Sequence, residues 1–151
     1  MLFDPFGGSL VPVVHFHLPR GVYSTKQRHR LLISSSRSYA EILGSPVDRV
    51  RSFILAYEPD DAATAGQVIA HGGACAPYFT AVVLAGRSVE QRRTLAARFT
   101  DLIVEILSVP RELVRGHIVE ADPENWYIAG IPAATARADE LAARASTPPA
   151  P

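Results

Sequence analysis

His15 and His17 stand two residues apart on one face of a short β-branched and aromatic run, a spacing that sets two imidazoles side by side like a metal pair. No third ligand follows at a recognisable spacing, so they read as solvent-facing or interface histidines and no metal is expected. The single cysteine, Cys75, excludes an internal disulfide and a cysteine-based zinc cluster. It lies in Gly72-Gly73-Ala74-Cys75-Ala76 without an adjacent His or basic residue, which marks a chance thiol in a flexible loop. The arginines say more. Pro46-x-x-x-Val50-Arg51 and Pro110-x-x-x-Val114-Arg115 put an arginine at the same place twice, and Arg87 follows directly on an apolar run in Leu84-Ala85-Gly86-Arg87-Ser88. A guanidinium is a planar fork of donors suited to a carboxylate. Each of these arginines equally suits a solvated strand end or a capped turn, and spacing alone leaves both readings open. Trp126 reads as a core or interface aromatic, and Asp60-Asp61 as a solvated turn.

The elements that must position these residues come in two copies. Shifting the chain by 64 residues lays Ser24, Gln27, Arg28 and Leu31 on Ser88, Gln91, Arg92 and Leu95. The same shift superposes Glu41-Ile42-Leu43 on Glu105-Ile106-Leu107, Pro46 on Pro110, Val50-Arg51 on Val114-Arg115, and Ile54 on Ile118. A slip of one residue adds Pro12 on Pro77. Each copy reads as strand, helix, strand. The runs 13–18 and 78–84 are strands that end at Gly21 and Gly86. Ser24 with Gln27, and Ser88 with Gln91, are capping boxes that start helices running to about Leu43 and Leu107. Leu95, Phe99, Leu102, Ile103 and Ile106 form one apolar stripe at spacings of three and four. Second strands are expected over 50–57 and 114–119.

Such units predict an α+β fold: a tandem β-α-β repeat whose strands form one four-stranded mixed sheet with two helices on one face. Residues 133–145 suggest a short alanine- and arginine-rich helix, too small to cover the other face. An oligomer packing sheet on sheet would cover it. One domain is expected over 12–145, with units 12–58 and 77–120, an N-terminal extension 1–11 and a loose Pro/Ala-rich tail 146–151.

Fifteen Lys+Arg balance fifteen Asp+Glu, with pI near 7.0, which argues against nucleic-acid binding by bulk charge. Hydrophobic residues make up 48% and charged residues 20%, enough apolar material for a core. No apolar run reaches the roughly 18 residues of a membrane helix, and 1–18 lacks the early basic residues of a signal peptide. A soluble, cytoplasmic protein is expected.

Pro12 opening a strand, Leu84-Ala85-Gly86-Arg87-Ser88-Val89-Glu90-Gln91, the two Pro-x-x-x-Val-Arg motifs and Asn125-Trp126-Tyr127-Ile128-Ala129-Gly130 together resemble the tautomerase superfamily over about residues 12 to 132. The likeness is to members with two β-α-β units per chain, such as 5-carboxymethyl-2-hydroxymuconate isomerase, malonate semialdehyde decarboxylase and cis-3-chloroacrylic acid dehalogenase. The segment from Val119 to Trp126 looks nearest the decarboxylase branch. The resemblance implies a homotrimer with its sheets enclosed and its helices outside. It implies catalysis by an amino-terminal proline on a small carboxylate substrate, without a cofactor or metal. Pro12 falls at the catalytic proline, with Arg51 and Arg87 as catalytic arginines. Arg115, Trp126 and, more weakly, Arg20 fall at substrate-binding positions. The turn Pro19-Arg20-Gly21-Val22-Tyr23-Ser24 departs from the pattern by one extra residue and has no arginine directly before Ser24.

The largest departure is that Pro12 is preceded by eleven residues. Inside a chain its nitrogen is a tertiary amide without a basic lone pair. Val11 can be encoded by the alternative start GTG, and initiator methionine is readily removed before proline, so one reading has the working chain begin at Pro12. In the other, 1–11 is real and the proline chemistry is lost. The functions implied are accordingly a keto-enol tautomerase, a decarboxylase or hydrolytic dehalogenase on the same fold, or a non-catalytic trimeric binding protein. A ferredoxin-like module shares the strand order along the chain. Neither nucleic acid nor membrane is an expected partner.

Overall fold

A computed structural model of the protein describes residues 12–136. Its main elements are β1 (Val13–Pro19), α1 (Thr25–Leu43), β2 (Arg51–Tyr57), β3 (Ala63–Thr64), β4 (Gln67–Val68), β5 (Tyr78–Leu84), α2 (Val89–Leu107), β6 (Arg115–Ala121), β7 (Tyr127–Ile128) and β8 (Ile131–Pro132). The four long strands form one mixed sheet in the order β2-β1-β5-β6. Within each unit the strands are parallel, Val13 opposite Arg51 and Tyr78 opposite Arg115. The two units meet antiparallel, Val13 opposite Val82 and His17 opposite Tyr78. The second strands begin one residue later than the sequence predicts. Residues 133–136 are helical, and the rest of the expected helix, with 1–11 and 146–151, lies outside the described residues.

Local signals explain the helix ends. Ser24 accepts from the Gln27 amide at 3.0 Å, and the Gln27 side chain accepts from the Ser24 amide at 2.9 Å, closing the capping box. In α2 the Ser88 hydroxyl accepts from the Gln91 amide at 3.1 Å, but the reciprocal arm is found only in α1 among the described residues. The expected pair of boxes is thus one full box and one half. In α1 the amide of Gln27 also lends its Nε2 to the Ile106 carbonyl at 3.1 Å, tying the start of one helix to the end of the other.

The duplication reaches further than the sequence comparison took it. The hairpins β3–β4 and β7–β8 turn on Ala65-Gly66 and Ala129-Gly130, again 64 residues apart, with positive φ at all four residues. That is the backbone twist a two-residue hairpin requires. Loop hydrogen bonds repeat as well: Ile69 to Ala62 at 2.9 Å and Ala133 to Trp126 at 2.7 Å, Arg51 to Pro12 at 2.8 Å and Arg115 to Pro77 at 3.1 Å, each from amide to carbonyl.

One sheet face buries Val14, Phe16, Leu18, Phe79, Ala81 and Val83 against Leu31, Tyr39, Leu95, Phe99 and Ile103 of the helices. Gly116 belongs to this face, because the Phe79 ring occupies the space its Cβ would take. The opposite face carries Val13, His15, His17, Phe53, Leu55, Thr80, Val82, His117 and Val119, and no described helix covers it. Phe53 and Leu55 are 45% and 44% exposed there. His15 stacks near Phe53 at 5.3 Å and His17 near Tyr78 at 5.2 Å between ring centroids.

Burial first, then the charge of His15, holds the His17 pKa below its ordinary 6.5. The folded chain therefore takes up a proton at His17 less readily than the unfolded chain. His17 weakens folding as pH drops through about 6.5, and this penalty is absent well above it. The melting temperature should fall between pH 7.5 and 5.5, and by less in His17→Gln. An equal fall in both chains would remove His17 from the acid response.

Candidate active site

The antiparallel junction sets which residues meet. The start of β1 lies beside the start of β2, which is parallel to it, and beside the end of β5, which is antiparallel. The end of β6 lies beside the end of β5, Ala121 opposite Leu84. Pro12, Arg51, the turn bearing Arg87, and Trp126 after β6 therefore gather at one end of the sheet. Trp126 packs on the patch formed by Leu84 and Ala133. Pro12 is buried, Arg87 and Trp126 are half-buried, and Arg51 is exposed.

The same rule applied to the second copy builds the opposite end from Pro77, Arg115, the β1–α1 turn with Arg20, and Ala62. A seven-residue strand separates the two ends by roughly 20 Å. Of the six residues singled out in the sequence, the protomer thus brings four together, Pro12, Arg51, Arg87 and Trp126. It leaves Arg115 and Arg20 at the far end.

Arg51 and Arg115 are held alike. The Nη1 of Arg51 donates to the Asp48 and Val50 carbonyls at 2.8 and 3.2 Å, and that of Arg115 to the Glu112 and Val114 carbonyls at 2.6 and 3.1 Å. Each guanidinium is oriented by the short turns Val47–Arg49 and Arg111–Leu113 that follow the prolines. This explains the recurrent motif: the Pro-x-x-x-Val turn supplies carbonyls that aim the arginine. The turn arginines differ. Arg87 donates from Nη2 to the Leu43 carbonyl at 3.0 Å, at the C-terminus of α1. Arg20 instead donates to Glu58 at 2.6 Å in an exposed ion pair.

The end at Pro12 also contains a residue absent from the sequence reading. Tyr39, on α1, is fully buried, and its hydroxyl bonds the Val82 carbonyl and lies 3.4 Å from that of Val13. The signal was available: at the 64-residue offset Tyr39 stands where α2 has Ile103, a polar group in a position the second copy keeps apolar.

The remaining candidates lie elsewhere. Cys75 is a half-buried free thiol near Tyr23 and Tyr57. Burial, with Cys75 and then Tyr57 adding to it, pushes the Tyr23 phenol up to about 12. An open groove along the outer edge of β2, lined in part by Arg20, Arg28, His29, Leu32 and Phe53, includes none of the four gathered residues. Among the described residues no group of three or more His, Cys, Asp or Glu is placed to hold a metal, and no helix is long and apolar enough to cross a membrane.

The family model described as tautomerase enzyme matches residues 77–135, the second unit with its hairpin. The 2-hydroxymuconate tautomerase of Comamonas testosteroni is 37% identical over 57 residues, which are 38% of this chain and 90% of that protein. The chain belongs to the tautomerase superfamily. That relative is about as long as one β-α-β unit, so this tautomerase-family chain holds two such lengths in tandem. Native fused 4-OT superposes with a TM-score of 0.77 at 23% identity, over 82% of this chain and 98% of that one. Pt0534, solved after inactivation by 2-oxo-3-pentynoate, superposes with a TM-score of 0.75 at 25% identity, over 82% and 98%. The tautomerase-like fold, a four-stranded mixed sheet with two helices on one face, is therefore established. Fused 4-OT has been solved both as a symmetric and as an asymmetric trimer.

The far end can be examined alone. The Arg20 and Glu58 side chains are 63% and 57% exposed, so a double-mutant cycle with Arg20→Ala and Glu58→Ala should return a coupling of about 0.2–1 kcal/mol that fades with salt. A coupling above that range, insensitive to salt, would show that the far end is more than a solvated ion pair.

Proposed function

We propose that this protein is a keto-enol tautomerase of small carboxylic acids, working as a homotrimer with Pro12 as its proton carrier. The observation that carries the reading is the inequality of the two sheet ends. The fold builds the same frame twice, but only one end joins a proline to a tryptophan and two backbone-anchored arginines. At the other, Ala62 replaces Trp126 and Arg20 is drawn off to Glu58.

The chemistry needs Pro12 as a free secondary amine, so the active form is the chain that starts there. An ordinary α-amino group titrates near 7.7–8.0, and neighbouring guanidinium groups lower that value. Neutral at working pH, the amine takes a proton from the enol form of the substrate, and the resulting ammonium returns it to carbon to give the keto acid. Arg87 and Arg51 hold the carboxylate and the oxygen on which charge develops. Trp126 limits water access. Arg115 contributes only if a neighbouring subunit brings it to this end. The bare sheet face, with Phe53 and Leu55 exposed, is the surface by which three copies associate, as the trimers of fused 4-OT suggest. Residues 12–145 form the domain, and the 1–11 segment is not part of the working site.

A chain initiated as Met-Pro12, with its methionine removed, should convert phenylenolpyruvate far faster than the 151-residue chain. It should also run in light scattering at about three times its own mass. In the shorter chain, Arg87→Ala or Arg51→Ala should cost about 2–5 kcal/mol of transition-state stabilisation. The electrophile 2-oxo-3-pentynoate, an alkyne conjugated to a ketone, should add to the Pro12 amine across its triple bond and raise the mass of the N-terminal peptide by one inhibitor. Equal rates for the two chains, with labelling elsewhere, would show that Pro12 is not the proton carrier.

A further inference from the structure

The apolar row that α2 turns towards the sheet is interrupted in α1. Leu31 answers Leu95, but Ser35 stands where α2 has Phe99, Ser38 where it has Leu102, and Tyr39 where it has Ile103. All three α1 residues are buried. A hydroxyl in such a place is costly unless it is bonded, and each has a partner. Ser35 meets Ser52 at 2.9 Å, Ser38 accepts from Arg98 at 3.1 Å, and Tyr39 reaches the sheet backbone. Ser52 follows Arg51 on β2, but of the three only Tyr39 bonds the backbone of the strand that Pro12 opens.

The Tyr39 ring is set edge-on to Phe99, with centroids 5.3 Å apart at 76°, which leaves the phenol little rotational freedom. Its single proton serves two carbonyls, those of Val82 and Val13. Val13 immediately follows Pro12, and Val82 is its cross-strand partner. One turn further along the helix, the Leu43 carbonyl accepts from Arg87. The last turn of α1 therefore grips both the strand that begins at Pro12 and the arginine beside it. Ile103 in the second unit packs equally well without a hydroxyl, so the fold does not require one there. Burial, opposed by the Val13 bond and the Arg87 charge, keeps the phenol far above its ordinary pKa of 10. Tyr39 thus stays a protonated donor at all working pH values and is not itself the base.

We propose that Tyr39 is a positioning residue for Pro12, its hydroxyl holding the Val13 and Val82 carbonyls so that the Pro12 nitrogen is fixed relative to Arg87 and Arg51. The inference rests on the reading of Pro12 as the proton carrier and adds a testable consequence of its own. Without the phenolic donor, two carbonyl dipoles near the amine lose their compensation. The surroundings then favour the ammonium, and the amine pKa rises.

The test uses the trimeric chain beginning at Pro12. In Tyr39→Phe, kcat should fall about tenfold with KM changed less than twofold, and the ascending limb of the pH–rate profile should move up by about half a unit. Titration of 15N-labelled Pro12 by NMR, which needs no turnover, should show the same shift. Ser38→Ala, which removes a buried hydroxyl that does not reach this end, should lower the melting temperature without moving kcat or either pH reading. Tyr39→Ile, the residue of the second unit, should reproduce the kinetic loss of Tyr39→Phe. A Tyr39→Phe enzyme with parental kcat and an unmoved 15N titration would overturn the proposal, whatever its melting temperature. A shifted 15N titration with unchanged turnover would uphold the Tyr39–Pro12 link and count instead against Pro12 as the proton carrier.

Discussion

The antiparallel register of β1 against β5, with Val13 opposite Val82, is the constraint on which the rest of this structure depends. Each unit alone is a parallel strand pair with one crossover helix, and nothing within a unit brings a strand start near a strand end. Joining two units antiparallel at the sheet centre does so twice. Each end then receives a proline and an arginine from one unit and a turn arginine and hairpin from the other. The candidate site is therefore a property of the pair, and neither half contains it.

Because the frame is made twice, the two ends act as controls for one another. Backbone features that recur at both are the requirements of the fold: the prolines that open the strands, the short turns whose carbonyls aim Arg51 and Arg115, and the Ala-Gly hairpins. Features found at one end only are additions to it. Trp126 against Ala62, Tyr39 against Ile103, and Arg87 on Leu43 against Arg20 on Glu58 all differ in the same sense. At these three positions the larger or backbone-anchored group stands at the Pro12 end, while Tyr57 and Tyr78 put aromatic rings at the Pro77 end.

The bare sheet face places a second constraint on the molecule. Its central strand presents two histidines among valines and aromatics, and no Asp or Glu lies among the strand residues that share this face. Such a surface is poorly suited to water and tolerates burial while its imidazoles are neutral. The helix-side core has no such ambivalence. Phe99 meets Phe16 and Phe79 edge to face, with centroids 5.8 and 5.6 Å apart, and the Phe79 ring fills the space left by Gly116.

The sequence by itself determined the four long strands, the two long helices and their order along the chain. Identities at a constant offset of 64, a serine before each helix and a proline before each second strand are local or periodic signals, and a linear chain displays them directly. It also named Pro12, Arg51, Arg87 and Trp126, because motif position survives in one dimension. It did not separate these four from Arg115 and Arg20. That separation comes from the direction in which β5 runs beside β1, a pairing between residues far apart in the chain. The contacts of Tyr39 were hidden for the same reason. In sequence it is one more large residue on a buried helical stripe, and only the packing of α1 across two strands carries its hydroxyl to the Val13 and Val82 carbonyls. Tertiary structure alone decided which of these residues share one end of the sheet, since backbone carbonyls become specific partners only once strands are placed side by side.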